Sequence, residues 1–131
     1  MSSILQKQVV TASALATVTN TELLLAYSGR MEANLATLRS IIRGWCQIVL
    51  SAATTGLITR FRRGNGITGT QVAGGNTQTV SASTTVTVDL QFSEQLINVE
   101  FADYSFTVQT VAAGANSTIN LAQIEVESIN G

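Results

Sequence analysis

The sequence predicts an all-β protein: an antiparallel β-sandwich or jelly roll of about eight strands, read as one domain over residues 1–131. Three observations carry that prediction. Thr, Ser, Val and Ala dominate the chain, and no proline interrupts any candidate strand. Apolar residues alternate with polar ones in short runs, separated by Gly- and Asn-rich turns at spacings of about eight to fifteen residues. A chain of 131 residues is also long enough to bury one sizeable core but not two.

Taken in order, Leu5 to Val18 mixes Val9, Val10, Leu15 and Val18 with Thr and Ser, which reads as one or two short strands before a turn at Asn20-Thr21. Leu23 to Tyr27 is a short apolar run closed by Ser28-Gly29, of the kind buried on both faces. These first thirty residues form N-terminal strands or an arm, with the core of the domain at 36–129. The opening stretch has no apolar run of secretory-signal length, so no export segment is expected.

From Met31 onward two periodicities compete. Met31, Leu35, Leu38, Ile42 and Trp45 fall at helical spacings, whereas Ile41, Ile48 and Val49 favour a strand, and Gly44 would weaken a helix reaching Trp45. The pattern is read as a strand from about Ala36 to Ser51, with a helical turn near Glu32. On it Arg39, Ile41, Arg43 and Trp45 share one face, and Leu38, Ile42, Cys46, Ile48 and Leu50 the other.

Ala52 to Gly56 turns the chain into Leu57–Val72, the stretch around which the rest is organised. It starts as a strand that sets Arg60 and Arg62 on one face. Gly64, Gly66 and Gly69 then supply a turn needing positive φ before a second strand, so the unit reads as an arginine-rich hairpin. Gly74-Gly75-Asn76 predicts another turn.

Thr85 to Phe92 alternates cleanly, with Val86, Val88, Leu90 and Phe92 inward. Phe101 to Val111 repeats the device: Tyr104, Phe106 and Val108 on one face, Ser105, Thr107 and Gln109 on the other. After a turn at Ala112–Asn116, Ile119 and Leu121 differ in parity from Ile124 and Val126. A β-bulge near Ala122-Gln123 is needed if both pairs face the core.

Charged residues make up only 11% of the chain, against about 25% in an average soluble domain. No apolar run approaches the roughly 18 residues of a membrane span, so burial between subunits is the simplest way to hide such a surface. All seven bases lie within residues 1–63 against two acids, giving +5; the remaining six acids lie beyond Gly64 with no base, giving −6. Two readings stay open. Either the halves neutralise each other within one subunit, or a positive face of one copy meets a negative face of the next.

The chemistry-bearing residues are sparse. Without histidine, imidazole bases, serine triads and imidazole metal sites are excluded. The carboxylates are scattered singly and match no calcium loop, and the glycine cluster lacks the Lys-Ser/Thr ending of a phosphate loop. The single Cys46 reads as a buried, inert thiol. No catalytic residue, cofactor or metal is expected, and the net charge of −1 argues against nucleic acid as a partner. Arginines flanking an aromatic are a mark of protein contacts. The candidate subunit-interface residues are therefore Arg39, Arg43, Trp45, Arg60, Arg62 and Arg63, with Glu94, Glu100, Glu125 and Glu127 as carboxylate partners on a neighbouring copy.

Phe61-Arg62-Arg63-Gly64, then Gly69-Thr70-Gln71-Val72, then Tyr104-Ser105-Phe106-Thr107-Val108-Gln109 and Ala115-Asn116-Ser117-Thr118-Ile119-Asn120 together resemble small jelly-roll virion proteins of tailed bacteriophages. These are capsid decoration (cement) or fibre-knob proteins with a tumour-necrosis-factor-like fold. The resemblance implies a structural, non-enzymatic protein of the virion, assembled in the host cytoplasm and sited on the capsid surface. It also implies a homotrimer that contacts the major capsid protein or another virion protein; without an apolar run of membrane-span length, no membrane partner is expected. The alternative is a fibre-tip, receptor-binding module or an architectural tail or head-fibre component.

Overall fold

A computed structural model describes residues 3–12, 16–32, 39–95, 101–112 and 116–130. Every regular element among them is a strand: β1 (Ser3–Ala12), β2 (Ala16–Val18), β3 (Leu23–Tyr27), β4 (Met31–Glu32), β5 (Arg39–Val49), β6 (Gly56–Arg63), β7 (Gln71–Thr79), β8 (Thr85–Gln95), β9 (Phe101–Ala102), β10 (Tyr104–Thr110) and β11 (Ser117–Asn130). The predicted strand at Ala36–Ser51 is found as β5. Glu32, near which a helical turn is expected, lies instead in β4, paired with Phe101; residues 33–38, where the predicted strand starts, lie outside the described residues.

The strands form two antiparallel sheets, ordered β1-β11-β5-β8 and β3-β10-β6-β7; β2 adds to β11, and β4 pairs with β9. The pairings are nested. β6 pairs with β7, then β5 with β8, β4 with β9, β3 with β10 and β1 with β11. The chain is thus one long hairpin with its tip at residues 64–70, rolled so that its arms contribute alternately to two facing sheets. That topology is a jelly roll.

Alternation explains why β5 sits in the middle of its sheet. Ser40, Ile42, Gly44, Cys46 and Ile48 face inward and are buried, while Arg39, Ile41, Arg43 and Trp45 point out. Opposite them Phe61 and Phe106 fill the core as a tilted pair with centroids 5.5 Å apart, both fully buried. Gly44 makes room for them: a Cβ there would stand 2.8 Å from both rings.

Three readings of the sequence are corrected. Gly74 and Gly75 form no turn; they lie inside β7 with φ of 84° and 91°. Ile58 pairs with Thr77 and Arg60 with Gly74, so three steps on β7 face two on β6, a bulge that uses the glycines' left-handed backbone. The bulge of β11 also lies earlier than Ala122-Gln123. Ile119 pairs with Ile48 and Leu121 with Gln47, which makes Asn120 the extra residue; Ala122 turns inward and Leu121 stays half-buried. Finally, β10 is buried on both faces, because Ser105 and Thr107 are as inaccessible as Tyr104, Phe106 and Val108. The tip loop covers Ser105, whose Oγ donates to the Gly64 carbonyl at 2.5 Å and accepts from the Gly66 N–H at 2.9 Å.

Candidate functional site

The candidate residues do not form one patch. Arg39, Arg43 and Trp45 lie on the outer face of the first sheet, Arg60 and Arg62 on the outer face of the second, and Arg63 at the end of β6. Each has a partner within the same chain.

On the first sheet, strand register dictates the partners. Arg43 stands directly across from Glu125, and Lys7 across from Glu127. Arg43 Nη1 approaches Glu125 at 2.9 Å and Glu127 at 3.4 Å, and Lys7 Nζ lies 3.5 and 3.6 Å from the same two carboxylates. The next row runs Thr11, Gln123, Trp45, Asp89. Trp45 Nε1 donates to Gln123 Oε1 at 2.7 Å, and Gln123 Nε2 donates to Thr11 Oγ1 at 3.1 Å, fixing the half-buried indole. Arg39 Nη1 donates to Ser93 Oγ at 2.9 Å. Beside Trp45 a groove of about 290 Å³ runs along β5 and β8, lined by Arg43, Thr87, Asp89 and Gln91 among others.

On the second sheet the organising residue is Glu22, just ahead of β3. Arg62 grips it with two donors, Nε to Oε2 at 2.6 Å and Nη2 to Oε1 at 2.8 Å, while Nη1 holds the Gly69 carbonyl at 2.9 Å. Arg60 Nη1 reaches Glu22 Oε1 at 3.2 Å and also contacts Gln109 Oε1; its Nε donates to Gln71 Oε1 at 2.9 Å. The three charged side chains are only 12–19% exposed. Hydrogen bonding from Arg62 holds the Glu22 carboxyl below its ordinary value, against the opposing effect of burial. One clamp therefore ties the approach to β3, the β6 strand and the tip loop.

At the end of β6, Arg63 pairs with Glu94, which also accepts from Tyr104 Oη at 2.7 Å. Tyr27 Oη donates to Asp103 Oδ2 at 2.7 Å, and burial followed by that carboxylate raises its pKa to about 12. Burial alone pushes the Cys46 thiol to about 12. Glu100 lies outside the described residues.

Sequence reasoning named the arginines but missed Glu22. The available signal was its isolation: it is one of only two acids among the seven bases of residues 1–63. Among the described residues no group of three or more His, Cys, Asp or Glu is placed to hold a metal ion. The arrangement is one of charges neutralised in pairs and networks, with polar rows laid across each sheet.

No known protein family matches the sequence, and no curated protein matches it. Its fold is similar to solved virus structures. A structure of infectious bursal disease virus, Gx strain, aligns with a TM-score of 0.62 at 14% identity, over 98% of this chain and 34% of that one. The Gt strain aligns at 0.62 and 11%, over 97% of this chain and 37% of that one. T=1 particles derived from the virus align at 0.57 and 12%, over 97% and 38%. The chain spans about a third of the length of these proteins, and the likeness establishes the jelly-roll fold.

Proposed function

We propose that this chain is a structural protein of a virus particle, acting as a capsid decoration or cement protein that bridges capsid subunits on the head of a tailed phage. The observation that carries the reading is the fold: nearly the whole chain superimposes on part of a protein in virus-particle structures. The side chains agree with it. Arg43, Arg60, Arg62 and Arg63 are each engaged in ion pairs within the chain, as in an architectural scaffold. In this reading Arg39, Arg43 and Trp45, on the outer face of the first sheet, and Arg63, at the end of β6, meet the neighbouring subunit or the major capsid protein, with the copies set around a threefold axis. Arg60 and Arg62 act behind them by fixing the tip loop.

A recognition module at a fibre tip is the second reading, favoured by the groove beside the fixed indole of Trp45. Imaging intact particles at chain-tracing resolution separates the two. Density for this fold at repeated positions across the head supports the cement role; density confined to tail or fibre ends refutes it.

A further inference from the structure

The two sheets leave four edges among the described residues: β1 with the short β2 on one side of the first sheet and β8 on the other, and β3 and β7 on the second. An edge is an open row of backbone donors and acceptors, and proteins that stay apart interrupt it with bulges, short strands or lysines. Three of these edges are interrupted. The register of β1 shifts between Ile4 and Gln6, and the strand carries Lys7. β3 is five residues long and pairs with a shift in β10 between Phe106 and Thr107. β7 is shifted twice against β6, at its glycines and again near Val72.

The fourth edge shows no such interruption among the described residues; its one inward charge, Glu94 near its end, is paired with Arg63 and Tyr104. β8 pairs with β5 in an unbroken register of eleven residues, from Thr85 opposite Val49 to Gln95 opposite Arg39, and contains neither proline nor lysine. Of its inward apolar side chains only Val88 is buried, at 8% exposure. Val86, Leu90 and Phe92 are half-buried, whereas Ile42, Cys46 and Ile48 on the neighbouring β5 are completely inaccessible. The core is therefore partly open along this margin, beside an edge that none of the described strands pairs.

We infer that β8 is the seam through which two copies of this chain join, antiparallel, in the register that places Leu90 opposite Leu90 on a twofold axis. The occupant follows from the strand's own sequence. Leu90 is the midpoint of Thr85–Gln95, so full overlap of two β8 strands forces this register. On the inward side it sets Leu90 against Leu90 and Val88 against Phe92, apolar surface on apolar surface, and at each end Val86 against Glu94, whose carboxylate is held by Arg63 and Tyr104. On the outward side it sets Asp89 against Gln91, a carboxylate against an amide donor, and Thr87 against Ser93. A one-residue slip of each strand in one direction would bring Asp89 against Asp89, which charge opposes; in the other direction it would bring Gln91 against Gln91 and shorten the overlap. The joined sheets form one continuous ten-stranded surface, five strands from each copy. The inference holds whether or not the chain belongs to a virus particle.

Two sets of variants of the full chain test it. Leu90→Cys should form a disulfide-linked pair under mild oxidation, because directly opposed antiparallel residues lie within disulfide range. Val86→Cys should not, since in this register the two copies of residue 86 are eight positions apart, roughly 26 Å. The buried Cys46 of the unaltered chain supplies the background. The second set acts at Gln91, which is exposed. Gln91→Lys brings a cation opposite Asp89 twice per pair, and Gln91→Glu brings a second anion. Sedimentation equilibrium at low salt should separate their dissociation constants by roughly tenfold, lysine tighter. Within one copy Gln91 lies across from Arg43, so an effect on the single subunit would have the opposite sign.

A Leu90→Cys protein with native circular dichroism and no cross-link overturns the inference, as does equal cross-linking at residue 86. Should Leu90→Cys not fold, the charge pair decides: lysine and glutamate variants that associate identically, or stay single at all concentrations, refute the seam.

Discussion

Replacing Glu22 by glutamine tests whether the Arg60–Glu22–Arg62 clamp holds the second sheet together. The substitution keeps the shape of the side chain and one acceptor oxygen. It places an NH₂ where Glu22 Oε2 now receives Arg62 Nε at 2.6 Å, and it removes the charge from the contacts at 2.8 and 3.2 Å. A hydrogen bond to a charged group is worth about 1.5–3 kcal/mol and a neutral one about 0.5–1.5, so the loss is about 2 kcal/mol. With little solvent around the three side chains, screening reduces this only slightly. For 131 residues, 1 kcal/mol moves Tm by about 4 °C, so Glu22→Gln should melt about 8 °C below the parent.

The pH dependence sharpens the test. Because Arg62 lowers the folded pKa of Glu22 beneath 4.5, the carboxylate's stabilisation is complete above that pH and is lost as pH falls through the lowered value. Glutamine does not titrate. Urea unfolding of both proteins at about pH 7 should show the full gap, and at about pH 3 a much smaller one. A gap that is absent at neutral pH, or undiminished in acid, refutes the clamp.

Gly44→Ala should destabilise by about 1–3 kcal/mol, since the new methyl would press on Phe61 and Phe106; calorimetry of a cycle with Phe106→Leu should show the penalty relieved when the ring is trimmed. Gly74→Ala should cost about 1–3 kcal/mol, because φ there is 84° and the Cβ would collide with the Thr59 carbonyl; denaturant titration measures it. Cys46, with its thiol pushed to about 12 by burial, should ignore a thiol reagent in native protein at about pH 8 and react fully in denaturant. Both tyrosines have raised pKa values, so folding should suppress tyrosinate absorbance at about pH 10.5 relative to the unfolded chain, and stability should fall as pH rises above 10.

The alternation that exposed β5 and β8 in the sequence works because each has one face in the core, so a period of two is imposed on both strands. Where that condition fails, the pattern misleads. Ser105 and Thr107 look solvent-facing by composition, yet the tip loop folds back over Ser105, an event set by residues forty positions away. Gly74-Gly75 announces positive φ, which a turn and a bulge share; only the β6 register distinguishes them. The parity change between Leu121 and Ile124 shows that β11 must slip somewhere. Parity alone does not say which residue is surrendered, and the choice fell on Asn120. The arginines were visible as candidates because clustered charge is a local feature. Their partner Glu22 was not, since nothing local connects it to residues 60 and 62.

The nesting of the strand pairs bears on how fast such a chain can fold. Ser3 and Asn130 end up opposite each other, a separation that would make direct closure entropically slow. Nesting removes most of that cost. Once β6 and β7 meet across the tip, β5 and β8 are held near each other and close only the short connections between. β3 and β10 follow, and β1 and β11 last, so the structure can zip outward from residues 64–70. The same order leaves β1 unpaired longest as the chain emerges from the ribosome, because its partner β11 is made at the opposite end. Changes in the tip loop should therefore slow folding, and changes in the β1–β11 pair should chiefly speed unfolding.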